Sequence, residues 1–271
     1  MRWRPLFTAA LASSLLTLPA ATALAQSSSA LDREEALRIS QAAIGQSLSD
    51  LRFVDRSNKS VRVSDFRGAP LVVNLIYTSC YHSCSVSTRY LGEIVDVARE
   101  ALGDESFSVA TVGFDSANDT PERMVVYARR QGIDTPGWTF LSADAETTGA
   151  LARELGFTYA ASAKGYDHMA QVTIIDGNGA IYRQIYGDRF EPPALVEPLK
   201  ELVWGLDSAS NPLDRWADNI RLFCTIYDPS VGRYRFDYSI FAAIIIGFLC
   251  LTAIAVFIVR AWREGSPPLP H

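Results

Sequence analysis

Cysteine and histidine are scarce in this chain: four of the first and three of the second in 271 residues. That density excludes a miniature fold stapled by disulfides. Positive charge is also short, with 25 lysines and arginines against 30 acids, a formal net charge of −5 and no basic cluster. A surface of this kind leaves no footprint for nucleic acid. There is no internal repeat, and no low-complexity tract beyond Ser27 to Ser29. What is present is length enough for one core, two apolar ends and a few residues suited to thiol or metal chemistry.

The first end reads MRWRPLFTAALASSLLTLPAATALA. Arg2 and Arg4 open it, Leu6 to Leu18 is apolar, and Ala23-Leu24-Ala25 is a small-residue cleavage pattern. Residues 1–25 therefore read as a secretory signal peptide, which predicts export of the domain behind it. The second is YSIFAAIIIGFLCLTAIAVFIV, Tyr238 to Val259, with no charge and no polar face. At a rise of ~1.5 Å per residue it spans a hydrocarbon core of ~30 Å, so residues 238–259 read as a transmembrane helix. Arg260 and Arg263 follow it and favour a cytoplasmic tail over residues 260–271. Arg233 and Arg235 just before it pull the other way, so the signal peptide decides the orientation. The expected arrangement is a domain on the periplasmic or outer side of a bacterial-type cytoplasmic membrane, held by a single C-terminal span.

Between the ends, residues 26–204 alone number about 180, enough for one domain. Residues 26–43 form a lead-in, 44–204 the domain, and 205–237 a polar linker in which Trp216, Ile220 and Phe223 mark a short amphipathic segment. Within the domain, Leu51 to Asp55 and Ser60 to Ser64 suggest a small hairpin. LVVNLIY after Pro70 is a continuous apolar run suited to a strand covered on both faces. Ser85 to Ala101 has helical periodicity, and Phe107 to Phe114 is a second buried strand. Asp119-Thr120-Pro121-Glu122 opens a helix that stops at Gly132, with Asp119 as the expected cap. A short strand from Gly137 to Leu141 and a helix from Asp144 to Leu155 come next. Met169 to Ile175 and Ala180 to Ile185 flank Asp176-Gly177-Asn178-Gly179, a strong hairpin signal, and a last helix from Ala194 to Trp204 contains Pro198. Parallel strands first and an antiparallel hairpin last is the layout of a thioredoxin-like α/β domain, a central mixed sheet flanked by helices.

The chemistry gathers in YTSCYHSCSVST, Tyr77 to Thr88. Cys80 falls where a buried strand gives way to a helix, where unpaired amides and the helix dipole favour a thiolate. Cys84 lies one turn on, so both sulfurs share a face. The pair suits a disulfide, since α-carbons at this spacing are roughly 6 Å apart. It equally suits a soft monovalent copper ion or zinc, given a third ligand. Two small buried cysteines with no chemistry remain the plain alternative. His168, in KGYDHMAQVTIID, is the candidate third ligand, because that loop faces the N-terminus of the first long helix in a thioredoxin-like fold. His82 is a further candidate ligand, Met169 a candidate thioether ligand or a packing residue, and Cys224 a candidate resolving thiol. His271 ends the chain, and Cys250 lies within the apolar span.

YTSC-x-x-x-C, VGFDSANDTPERM, PGWTFL and YDHMAQVTIID together resemble the Sco/SenC family of membrane-tethered, thioredoxin-like copper proteins, over roughly Ala43 to Leu202. The resemblance implies copper binding, one ion per domain, at Cys80, Cys84 and His168. Asp115 and Asp119 match the family's Asp-x-x-x-Asp-Thr-Pro element, as groups orienting the ligands. It also implies delivery of copper to the binuclear site of cytochrome c oxidase subunit II or a related copper-containing membrane oxidase. For some members it implies reduction of disulfides in that site or in other exported proteins. An exported thiol-disulfide oxidoreductase is thus the alternative function, and a redox or copper sensor a second. The chain departs from the family in carrying Tyr81 and Ser85 where proline usually follows each cysteine, and in being tethered from its tail.

Overall fold

A computed structural model describes residues 31–80, 83–163, 165–205, 220 and 224–264. Residues 1–25, read as a signal peptide, and His82, Trp216, Phe223 and His271 lie outside the described residues. The chain opens with helix α1 (Arg33–Ala42), capped by Asp32, whose carboxylate accepts from the Glu34 and Glu35 amides at 3.0 and 3.2 Å. Strands β1 (Arg52–Asp55) and β2 (Ser60–Arg62) form the expected hairpin, with Phe53 opposite Val61.

Next come β3 (Leu71–Ile76), α2 (Ser83–Leu102), β4 (Ser108–Gly113), α3 (Pro121–Gln131), β5 (Trp138–Ser142) and α4 (Ala145–Glu154). The apolar run after Pro70 becomes the central strand, with all six residues buried. It pairs in parallel with β4, and β4 with β5, because a helix returns the chain each time. After two short strands, β6 (Tyr159–Ser162) and β7 (Gly165–His168), the hairpin β8 (Gln171–Ile175) and β9 (Ile181–Tyr186) completes the sheet. The order is β2-β1-β5-β4-β3-β8-β9, with β8 antiparallel to β3. This mixed sheet, flanked by helices that include α5 (Pro193–Trp204), is the thioredoxin-like arrangement. The core lies between sheet and helices, around Phe107, Phe140, Leu91, Ile94, Ile174 and Leu195. At about 25 cal/mol per Å² of apolar surface, burying side chains of this size supplies the main driving force.

Three details differ from the sequence reading. The cap of α3 is Thr120, whose hydroxyl accepts from the Arg123 amide; Asp119 is turned inward instead. His168 is the last residue of β7 rather than part of a loop, in a hairpin with β6 that pairs Tyr159 with His168. Residues 225–236, assigned to the linker, form a hairpin of β10 (Thr225–Asp228) and β11 (Arg233–Phe236). That hairpin is fastened to the domain: Lys200 Nζ donates to the Thr225 carbonyl at 2.6 Å, and Arg233 pairs with Glu100 at 3.1 Å. Tyr234 packs against the core, and Cys224, just before Thr225, is buried.

The last helix, α6 (Ser239–Glu264), contains a stretch of 24 residues, Ser239–Trp262, whose most apolar 18-residue window has mean hydropathy 2.9, with none of that window buried by the rest of the protein. It is long and apolar enough to cross a membrane.

Candidate functional site

The site begins where β3 runs out. Tyr77 and Thr78 carry the chain off the sheet, and the Cys80 amide closes a turn on the Tyr77 carbonyl at 3.1 Å. Cys84 sits in the first turn of α2, buried, while Cys80 is half-buried. The Cys84 amide donates to Cys80 Sγ at 3.3 Å. A backbone N–H at the open end of a 20-residue helix thus points at the sulfur and favours negative charge there. The Cys84 carbonyl is held in turn by the Tyr127 hydroxyl at 2.9 Å. Burial pushes the Tyr127 phenol well above its ordinary range, so it remains a donor across the accessible pH range.

His168 arrives from the opposite side on β7. Its ring lies among Phe157, Phe114 and Tyr77, with centroids 5.4, 5.5 and 6.1 Å away. Nδ1 is 3.3 Å from the Met169 carbonyl. A carbonyl can only accept, so this contact assigns the proton to Nδ1 and leaves the Nε2 lone pair for a ligand. The hairpin carrying it was not legible in sequence, and Gly165 at its turn shows why glycine is needed: φ is +112°, and a Cβ there would lie 3.0 Å from the Tyr77 hydroxyl.

Tyr77 connects the two halves. Its hydroxyl meets the Cys80 side chain and the Tyr166 backbone, and burial first, then the hydrogen bond with Cys80, pushes its phenol up to about 12. Its ring is edge-on to both Tyr166 and His168. The two aspartates fasten the same halves from below. Asp119, 1% exposed, accepts from the Thr78 amide and hydroxyl, both at 2.7 Å, and from the Asp115 amide at 2.9 Å. Burial raises its carboxyl above the ordinary aspartate value even though these donors pull it down. Asp115 accepts from Asn118 at 2.8 Å and meets the Tyr166 side chain. One aspartate therefore holds the cysteine loop, two residues before Cys80, and the other holds the histidine hairpin, two residues before His168.

Cys84 and His168 line one small cavity of about 20 Å³, together with Ser87, Leu91, Asp188 and Phe190. That is room for a single water-sized particle. Among the described residues no three His, Cys, Asp or Glu side chains are close enough together to share a metal ion. Cys80 is engaged with Tyr77 and the Cys84 amide, one helical turn from the cavity. The donor chemistry, two thiols and an imidazole, nevertheless suits a soft monovalent metal. Met169 lies between β7 and β8 rather than in a strand, and it contributes a carbonyl to His168. Tyr77, Tyr127, Tyr166 and Thr78 were not singled out from sequence; the only hint was the tyrosine three residues before the first cysteine.

The SCO1/SenC family model matches residues 41–203, a span that takes in every element from the end of α1 to α5. Among solved structures, a SCO1/SenC family lipoprotein from Bacillus anthracis str. Ames is 18% identical with a TM-score of 0.54, covering 58% of this chain and 95% of that one. Arabidopsis thaliana ScoI, solved with copper bound, is 17% identical with a TM-score of 0.50, covering 56% and 96%. BsSco, a member of the Sco family of cytochrome c oxidase assembly proteins in which a disulfide switch was identified, is 15% identical with a TM-score of 0.51, covering 58% and 93%. These identities speak for the fold. The family match extends over more than half of the chain and includes Cys80, Cys84, the two aspartates and His168, so the chain belongs to the SCO1/SenC family.

Proposed function

We propose that this protein carries one copper ion as cargo on Cys80, Cys84 and His168 and hands it to the copper site of cytochrome c oxidase subunit II or a related copper-containing membrane oxidase. The observation that carries the reading is the shared cavity of Cys84 and His168, one helical turn from Cys80. Two thiolates and one imidazole satisfy a monovalent copper ion and leave it open to incoming ligands. Release then proceeds by exchange: an acceptor thiolate or imidazole displaces one ligand at a time, so no bare ion forms. Gathering the three donors requires Cys80 to leave Tyr77 and the imidazole to advance. The β6–β7 hairpin pairs only with itself, so its shift breaks no bond of the seven-stranded sheet. Copper bound in the Arabidopsis relative supports the reading.

In this account α6 anchors the domain in the membrane, with the domain on the outer face and the tail, residues 260–271, in the cytoplasm. Confinement at the surface raises the effective concentration of an integral acceptor. Titration of the reduced chain with Cu(I) tests the proposal. One equivalent is expected to bind, with loss on Cys80→Ser or Cys84→Ser; no binding, or binding indifferent to both cysteines, removes it.

A second reading, a thiol-disulfide reductase, is favoured by the amide-supported Cys80 sulfur beside buried Cys84. The Cys80 thiolate attacks a partner disulfide, a mixed disulfide forms, and Cys84 displaces it; the pair is oxidised and the partner reduced by two electrons. This route has no use for His168. His168→Ala therefore separates the readings: lost oxidase assembly with retained reductase activity favours copper delivery, and an unchanged phenotype favours the reductase.

A further inference from the structure

A groove of about 270 Å³ opens beside the cysteine loop, lined by Thr78, Tyr127, Arg123, Val126 and Arg130. Its floor and one wall belong to the site. Tyr127 bonds the Cys84 carbonyl, and Thr78 is the residue that Asp119 holds, two positions before Cys80. The other wall is α3, where Arg123, Val126 and Arg130 fall at spacings of three and four and so share one face. Val126 is 46% exposed, an apolar side chain set in water between two guanidinium groups. Neither arginine has an ion-pair partner among the described residues.

Helix stability accounts for Arg130, in the last turn of α3, but not for Arg123. Arg123 is the third residue of α3, where the helix dipole disfavours a cation, and the nearby first-turn acid, Glu122, is drawn toward Thr120 and Asn58. The protein as a whole is acidic, with a net charge of −5. A negatively charged partner is repelled by the net acidic charge and attracted by these two guanidinium groups next to the thiols. Complementary charge of this sort sets orientation and association rate.

We propose that the groove docks a protein partner through an acidic segment: carboxylates pair with Arg123 and Arg130, and a small apolar side chain covers Val126. That the docked partner is the acceptor exchanging ligands at Cys80 rests on the copper-delivery reading; the docking itself does not. The acceptor then carries carboxylates beside its metal-binding residues, and docking brings those residues to the open side of the cysteine loop.

The test uses the full chain in discs of zwitterionic lipid. The probe is a fluorescent peptide of alternating glutamate pairs and leucines, with a lysine-for-glutamate peptide as control, read by anisotropy. The glutamate peptide is expected to bind and the lysine peptide not to. Affinity should fall about tenfold in the Arg123→Glu/Arg130→Glu variant and when salt is raised from low to about 0.15 M. The Arg123→Gln/Arg130→Gln variant, which keeps helix-forming side chains, should lose part of the binding and guards against misfolding. Equal affinity for wild type and both variants overturns the proposal. So does binding of anionic phosphatidylglycerol vesicles through these arginines with no binding of the peptide. Copper loading of the same variants should stay at one equivalent. A wild-type chain that binds the peptide but no copper sinks the copper-delivery reading and leaves the groove standing.

Discussion

Replacing Asp119 by asparagine tests how the cysteine loop is held. The carboxylate is 1% exposed and receives three hydrogen bonds, two from Thr78 and one from the Asp115 amide. Asparagine has nearly the same shape, but only one of its terminal atoms accepts. With that oxygen on Thr78, its amide nitrogen faces the Asp115 N–H, donor against donor; flipped, it abandons Thr78. Either way a buried N–H loses its acceptor, at about 1–3 kcal/mol, and the surviving bonds lose their charge assistance, about 0.5–1 kcal/mol each. Removing a buried charge returns part of this, since burial already disfavours the carboxylate. The net loss is about 2 kcal/mol, and Tm falls by about 4–8 °C for a domain of this size. Thermal unfolding by circular dichroism reads the shift, and hydrogen exchange at the Thr78 amide locates it. A variant with wild-type Tm and unchanged Thr78 exchange refutes the reasoning.

Other perturbations reach other parts of the molecule. Tyr77→Phe keeps the ring contacts and deletes the hydroxyl at Cys80; at about 1 kcal/mol for one hydrogen bond, alkylation of Cys80 near neutral pH should slow about fivefold, and an unchanged or faster rate contradicts this. Arg99 is 6% exposed, and its Nε and Nη2 have no hydrogen-bond partner among the described residues; Arg99→Met is expected to leave Tm unchanged or raise it by a few degrees, and a clear fall opposes the account. Asp50 accepts from the Ser64 amide and pairs with Arg62, which holds its carboxyl at about 2. Its folded pKa is depressed, so its contribution persists above the ordinary aspartate pKa and disappears as pH falls from there toward about 2. An NMR titration of the Asp50 side chain with a midpoint near 4 excludes that.

Where local pattern and tertiary burial agree, the sequence was readable. The apolar run after Pro70 had to be an interior strand, and Gly132, with φ of +71°, ends α3 where a left-handed residue was expected. The β6–β7 hairpin was not readable, because YAAS and GYDH carry no apolar run. Its support is tertiary: Tyr159 and Tyr166 pack on Phe114 with centroids at 4.9 and 5.3 Å. The β10–β11 hairpin did leave a trace, since Tyr234 and Phe236 alternate with Arg233 and Arg235. The helical spacing of the preceding residues drew the reading toward an amphipathic segment instead. At the site, the cysteine pair and His168 stood out by residue type. The tyrosines and the inward turn of Asp119 did not, because their roles are contacts between segments far apart in the chain.

The central claim, that the two sulfurs and the late imidazole hold one copper ion together, is tested most directly by X-ray absorption on the reduced chain loaded with one equivalent of Cu(I). The account predicts two sulfur neighbours and one imidazole nitrogen, with the nitrogen shell lost in His168→Ala. A sulfur-only shell that is identical in wild type and His168→Ala contradicts it.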